Sequence, residues 1–167
     1  MRLWSYQSPD FSLVEGNVDP DKSQYAQKYK AAYQQLWGIV GDQIVWCCTS
    51  SDDWYQKSGF CEWVLEVPED RFYRIVDEMV WAGIRRESCC PQRLRSQLLA
   101  KAIEKYPNSV DAYAWLDRQV KRLVHPPGDP WGSLFLNDPN DFRASILLRH
   151  PVERDWVKSV SVYPTAI

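Results

Sequence analysis

Five cysteines and two histidines are the first residues to weigh, because thiolates and imidazoles bind metals and act as nucleophiles or bases. Cys47-Cys48 and Cys89-Cys90 are adjacent pairs, and Cys61 stands alone. Zinc sites draw their sulfurs from pairs spaced roughly two to four residues apart, so that both converge on one ion. Adjacent residues in a strand point to opposite faces, which disfavours both zinc and a disulfide within each pair. The expectation is reduced thiols serving as small core residues, with no metal. His125 and His150 each precede a proline and sit in no catalytic motif. There is no Gly-x-Ser-x-Gly elbow, Walker loop or dinucleotide fingerprint, and the seven glycines are scattered. Asp52-Asp53 and Glu69-Asp70 offer carboxylates for acid–base work, but a loop and a helix start carry solvated charge just as readily.

Charge is unevenly distributed behind a formal net of −2. Residues 1–83 carry seven basic and thirteen acidic groups, a net of −6. Residues 84–124 carry nine and four, a net of +5, and residues 125–167 carry four and five, a net of −1. Such asymmetry orients a charged partner. Arg93, Lys101, Lys105, Arg118, Lys121 and Arg122 fall on the outward positions of two predicted helices, with Tyr113 and Trp115 nearby. Cations interleaved with aromatics suit phosphates, so these six are candidate contacts for nucleic acid or a protein partner.

The elements that must position these groups follow from periodicity and from prolines. Leu3 to Gln7 reads as an aromatic strand, expected to be central, with the fold starting at residue 1 and no leader before it. Helical spacing predicts a helix over 23–37, ended by Gly38 or Gly41. Residues 44–48 read as a buried strand, 49–57 as a polar loop and 60–67 as a strand ended by Pro68. Phe72, Ile75, Val76, Met79 and Val80 then fit a helix opened by Glu69-Asp70 and closed by Gly83. Pro91 opens a helix with Leu94, Leu98, Leu99, Ala102 and Ile103 on one side. After Pro107-Asn108, Ser109 is a plausible cap for a helix through Val124 that points Tyr113, Leu116, Val120 and Leu123 inward. The short link makes the two helices antiparallel neighbours. A stiff linker spans 125–130, and strands are predicted over 133–136, 142–148 and 157–163. The 167 residues, with nine tryptophans and nine tyrosines, suffice for one α+β domain spanning 1–167. No secretory signal or membrane-length apolar run is present, so the expectation is a cytoplasmic protein with no membrane partner.

Three segments resemble a bacterial domain family of unknown function that opens on a Leu-Trp-Thr-x-Gln strand. They are Leu3-Trp4-Ser5-Tyr6-Gln7, then Glu62-Trp63-Val64-Leu65-Glu66-Val67-Pro68-Glu69-Asp70 with Trp81 beyond, and then Leu134-Phe135-Leu136 leading to Phe142-Arg143-Ala144-Ser145-Ile146-Leu147-Leu148. The run from Arg143 to Val152, followed by Trp156-Val157-Lys158-Ser159-Val160, also looks like the C-terminal strands of DNA ADP-ribosyltransferase toxins. The toxins' opening strand carries a Tyr-His-x-Thr motif, and Leu3 to Gln7 has its aromatic character without the histidine.

This resemblance implies a split, mixed, mostly antiparallel sheet of ADP-ribosyltransferase type, with packed helices and an inserted helical hairpin. It also implies a cleft between the opening and penultimate strands, lying side by side and lined by Trp4, Tyr6, Gln7 and Ser145, with Lys57 and Arg143 for phosphate. In such enzymes a late-strand carboxylate stabilises the ribose cation as a nicotinamide dinucleotide is cleaved. Ser145 stands at that position here, and Glu153 replaces the carboxylate only if its turn folds back into the cleft. The leading expectation is a binding protein for a nucleotide, nucleic acid or protein partner, with little or no catalysis and no cofactor. One alternative is an active ADP-ribosyltransferase or NAD glycohydrolase. Another is a phage or mobile-element inhibitor of a bacterial defence complex acting through protein contacts.

Overall fold

A computed structural model describes residues 1–15, 44–57, 59–84, 92–124 and 134–163. The helix predicted over 23–37, its closing glycines, Cys89-Cys90, Pro91, the 125–130 linker with His125, and Ser133 lie outside the described residues. The elements are β1 (Arg2–Gln7), β2 (Ile44–Cys48), α1 (Asp53–Lys57), β3 (Cys61–Glu66), β4 (Arg74–Asp77), α2 (Glu78–Ile84), α3 (Gln92–Lys105), α4 (Ser109–Val124), β5 (Ala144–Arg149) and β6 (Val157–Val162). The strands form a six-stranded antiparallel open sheet in the order β4-β5-β2-β1-β3-β6, so the fold is α+β and the sheet is not mixed. The expected adjacency of β1 and β5 does not hold, because β2 lies between them.

The chain forms two compact units, residues 1–74 with 146–167, and residues 75–145. In the first unit β1 pairs along its whole length with β3, which places Tyr6 opposite Glu62 and Ser5 opposite Trp63. Leu3, Val45, Leu65, Ile146, Leu147 and Leu148 are fully shielded from solvent. Cys47, Cys48 and Cys61 are buried free thiols. Burial, reinforced by Cys48, pushes the Cys47 thiol far above its ordinary range, which keeps it protonated and inert.

In the second unit α3 and α4 enclose Leu94, Leu98, Ala102, Ala112, Leu116, Val120 and Val124, together with Met79 from α2. The buried stripe of α4 runs at four-residue intervals through Ala112 to Val124. Tyr113 and Ile103, predicted inward, are half or more exposed. Asn108, and not Ser109, caps α4: its side-chain oxygen accepts from the Val110 amide at 2.8 Å.

The helix predicted from Glu69 does not form. Residues 69–71 make a single tight turn, 74–77 a strand, and only Glu78–Ile84 a helix. Strand bonding takes precedence: Asp77 N–H donates to Leu134 O at 2.7 Å, and Leu136 N–H to Ile75 O at 3.0 Å. Asp77 Oδ1 then accepts from the Met79 and Val80 amides at 3.0 and 3.3 Å, so the residue that ends β4 also caps α2. Gly83 does not close this helix but lies within it. A Cβ there would meet Val124 O at 1.9 Å, so only glycine lets α2 come this close to the end of α4.

Candidate functional site

The sequence-nominated residues fall into two groups, one in each unit. In the first unit, Tyr6 and Glu62 face each other across β1 and β3, and the Tyr6 hydroxyl donates to Glu62 Oε2 at 2.8 Å. The same hydroxyl accepts the Asp52 amide at 2.7 Å. Gln56, on α1, donates its amide to Glu62 Oε2 at 2.7 Å, and the Tyr163 hydroxyl reaches Oε1 at 3.3 Å. The segment predicted as a polar loop over 49–57 ends in α1, which delivers both Gln56 and Tyr55. Tyr55 stacks on Tyr6 with centroids 4.9 Å apart, and Phe60 meets Tyr55 edge-on at 5.4 Å.

Glu62 is only 6% exposed, yet three side-chain donors satisfy it. Burial drives the Tyr6 phenol far upward; the Asp52 amide pulls back, and Glu62 pushes it higher again. Tyr6 therefore keeps its proton and serves as a donor to Glu62. Gln7 donates to Ser5 Oγ at 2.9 Å, and Ser5 Oγ donates to Trp46 O at 3.0 Å, which pins the end of β1 to β2. Trp4 is half-buried, and Lys57 is exposed at the end of α1 with no ion pair among the described residues.

In the second unit, Arg143 is committed to two carboxylates. Its Nη1 lies 2.8 Å from Asp77 Oδ2, and its Nε lies 3.2 Å from Asp141 Oδ1. Burial raises Asp77 above the usual carboxylate range, while Arg143 and the Met79 and Val80 amides hold the shift back. Burial also works against Asp141, but the Arg143 guanidinium and backbone bring it below its usual value. Arg143 thus has its fork occupied where an available phosphate ligand was expected. The Ser145 hydroxyl donates to Glu78 Oε2 at 3.1 Å, and Arg93 Nη2 reaches that oxygen at 2.5 Å. Arg93, predicted on the outward face, has a side chain only 12% exposed because it pairs with Glu78.

Arg118, Lys121 and Arg122 do face solvent from α4. Lys101 lies 4.0 Å from the Phe142 ring centroid, and Lys105 about equally far from Tyr106 and Trp115, at 5.6 and 5.5 Å. Glu153 belongs to the first unit, where it pairs with Arg71 at 2.8 Å and is about half exposed.

Glu62, Gln56, Tyr55 and Glu78 escape a reading of the sequence alone. A signal for Glu62 is present: an acid set between Cys61 and Trp63, inside a strand that is apolar up to its closing Glu66, must find buried donors. Glu78 carried no such signal, because its partners lie 15 and 67 residues away. Among the described residues no group of three His, Cys, Asp or Glu side chains is arranged to hold a metal ion. No helix of the described residues is long and apolar enough to cross a membrane. No protein-family model matches this chain, and no curated protein or solved structure is significantly similar to it.

Proposed function

We propose that the chain is a cytoplasmic binding protein on a degenerate ADP-ribosyltransferase-like core, recognising a nucleotide, nucleic acid or protein partner with little or no catalysis. The observation that carries this reading is the state of Glu78. Cleaving a nicotinamide dinucleotide calls for a carboxylate with uncompensated charge, because the ribose cation it stabilises exists only in the transition state. Ser145 stands at the late-strand position and is bonded to Glu78, but Arg93 already balances that carboxylate. Glu153 is likewise paired with Arg71, and Glu62 is surrounded by donors. The six-stranded antiparallel sheet is compatible with such a core, while these committed carboxylates speak for lost chemistry. Trp4 and Lys57 remain the residues best suited to meet a ligand.

The test is incubation with the nicotinamide dinucleotide, followed by calorimetric titration of dinucleotide, mononucleotides and oligonucleotides. Background nicotinamide release with measurable binding is the expected result, and the absence of any binding would remove the nucleotide version. One observation favours the catalytic alternative, namely that a carboxylate does stand one hydrogen bond from Ser145. Nicotinamide release that Glu78→Gln abolishes would establish that alternative and overturn the binding reading.

A further inference from the structure

A cleft of about 350 Å³ in the first unit is lined by two acids, two arginines and several aromatic rings. Two tight turns build its walls. Residues 69–71 form one, closed by the Arg71 amide on Pro68 O at 3.0 Å and the Phe72 amide on Glu69 O at 3.3 Å. Residues 154–156 form the other, where the Trp156 amide donates to Glu153 O at 3.1 Å. The Tyr73 amide donates to Leu147 O at 2.8 Å, which sets the first turn beside the end of β5, where Arg149 is the last residue. Asp70, Arg71, Arg149 and Glu153 thus meet one space, along with the half-buried rings of Phe72 and Trp156.

Two of the four charges cancel. Arg71 Nη2 lies 2.8 Å from Glu153 Oε1, which leaves one acid and one base on the cleft wall. Neither Asp70 nor Arg149 forms an ion pair among the described residues. Arg149 Cζ instead lies 4.4 Å from the Tyr73 ring centroid. A guanidinium laid on a ring keeps its N–H edges for a two-pronged acceptor such as a carboxylate. Arg74 approaches the same ring at 4.6 Å but takes no part in the cleft lining. A ligand with negative charge alone meets two acids here, and one with positive charge alone meets Arg149. The matching ligand carries an ammonium and a carboxylate together. Phe72 and Trp156 suit an aromatic side chain, which stacks on a ring face or meets its edge. The cleft volume lies at the lower end of the roughly 300–1,000 Å³ of small-molecule sites, as befits a ligand of amino-acid size.

We infer that this cleft binds a free α-amino acid with an aromatic side chain. Arg149 holds the carboxylate, Asp70 the ammonium, and Phe72 and Trp156 the ring. The site uses neither Trp4 nor Lys57, so it stands independently of the proposed function.

The test titrates the full chain calorimetrically with L-tryptophan, with tryptamine, which lacks the carboxylate, and with indolepropionate, which lacks the ammonium. L-Tryptophan binds about tenfold more tightly than either, because each analogue forgoes one charge-assisted contact. Arg149→Gln weakens L-tryptophan about tenfold and erases its advantage over tryptamine, while its advantage over indolepropionate survives. Asp70→Asn does the reverse. Loss of folding does not produce this crossed pattern. Both residues are exposed, so an unchanged melting curve certifies each variant as folded. Trp156→Ala weakens L-tryptophan about tenfold. Wild-type protein that binds none of the three probes overturns the inference. An analogue that binds as tightly as L-tryptophan overturns it as well, as does a variant that keeps both preferences. L-Alanine binding as tightly as L-tryptophan overturns the assignment of the rings. Trp4→Ala and Lys57→Gln leave these titrations unchanged, so failure here and failure of the proposed function read separately.

Discussion

Strand β4 carries two opposite treatments of charge within four residues. At its end, Asp77 is 2% exposed and closed on every side, by Arg143 and by two amides of the helix it caps. At its start, Arg74 lies on the Tyr73 ring beside Arg149, and neither has an acid partner among the described residues. The first arrangement answers a folding problem, since an uncompensated buried carboxylate is strongly destabilising. The second answers no folding problem, since exposed cations are solvated without help. A group of charges that the fold does not need is therefore the better pointer to a ligand, and a complete network is the better pointer to stability. The cluster around Glu62 belongs with Asp77, because its hydroxyls and amide are consumed by one carboxylate.

Breaking the closed end has the largest expected effect. Arg143→Met leaves Asp77 buried beside an apolar chain and lowers stability by about 3 kcal/mol, read from urea unfolding. A small loss there would move Asp77 into the open class and blur the contrast.

The Glu62 cluster sharpens the contrast through pH. The Tyr6 phenol is raised from an ordinary value of 10.0, chiefly by burial, so above about pH 10 an unfolded tyrosine releases a proton that the folded chain keeps. The folded state then binds more protons, and stability falls as pH rises. Tyr6→Phe costs about 1 kcal/mol at neutral pH. It also removes at most about 1.4 kcal/mol per pH unit from the alkaline slope, measured by unfolding at stepped pH. An unaltered slope would mean that the phenol ionises while folded.

The smallest stability change is expected at the open end. Arg149→Gln shifts the unfolding free energy by no more than about 0.5 kcal/mol, the usual range for exposed positions. A loss as large as that at Arg143 would make Arg149 a structural cation and withdraw the contrast.

Most strands were legible because their signal is local. The runs at 44–48 and 61–66, the stop at Pro68 and the four-residue rhythm of the last helix need no knowledge of distant chain. Residues 72–80 misled for a definite reason. Phe72, Ile75, Val76, Met79 and Val80 satisfy a helical period, yet Ile75-Val76 is also a β-branched pair suited to a strand. Backbone partners at Leu134, Leu136 and Leu147 decide between the two, and they lie 57 to 74 residues away in the chain. The candidate site was less legible than the fold. Tyr6 stands out by its position on the opening strand, whereas its partner Glu62 is visible only within a motif. Arg93 was placed outward from spacing alone and turned inward because Glu78 draws it there.

By itself, the amino-acid order determined an α+β chain rich in aromatics, the buried free thiols of Cys47, Cys48 and Cys61, a basic helical stretch and the approximate course of five strands, since composition and short-range periodicity carry those properties. Tertiary structure alone decided which charges are satisfied. An ion pair or a crowded ring forms between residues whose separation along the chain says nothing of their distance in space. Arg143, just before β5, and Arg149, its last residue six positions on, thus came to opposite ends: one closed by acids, the other left on a tyrosine ring.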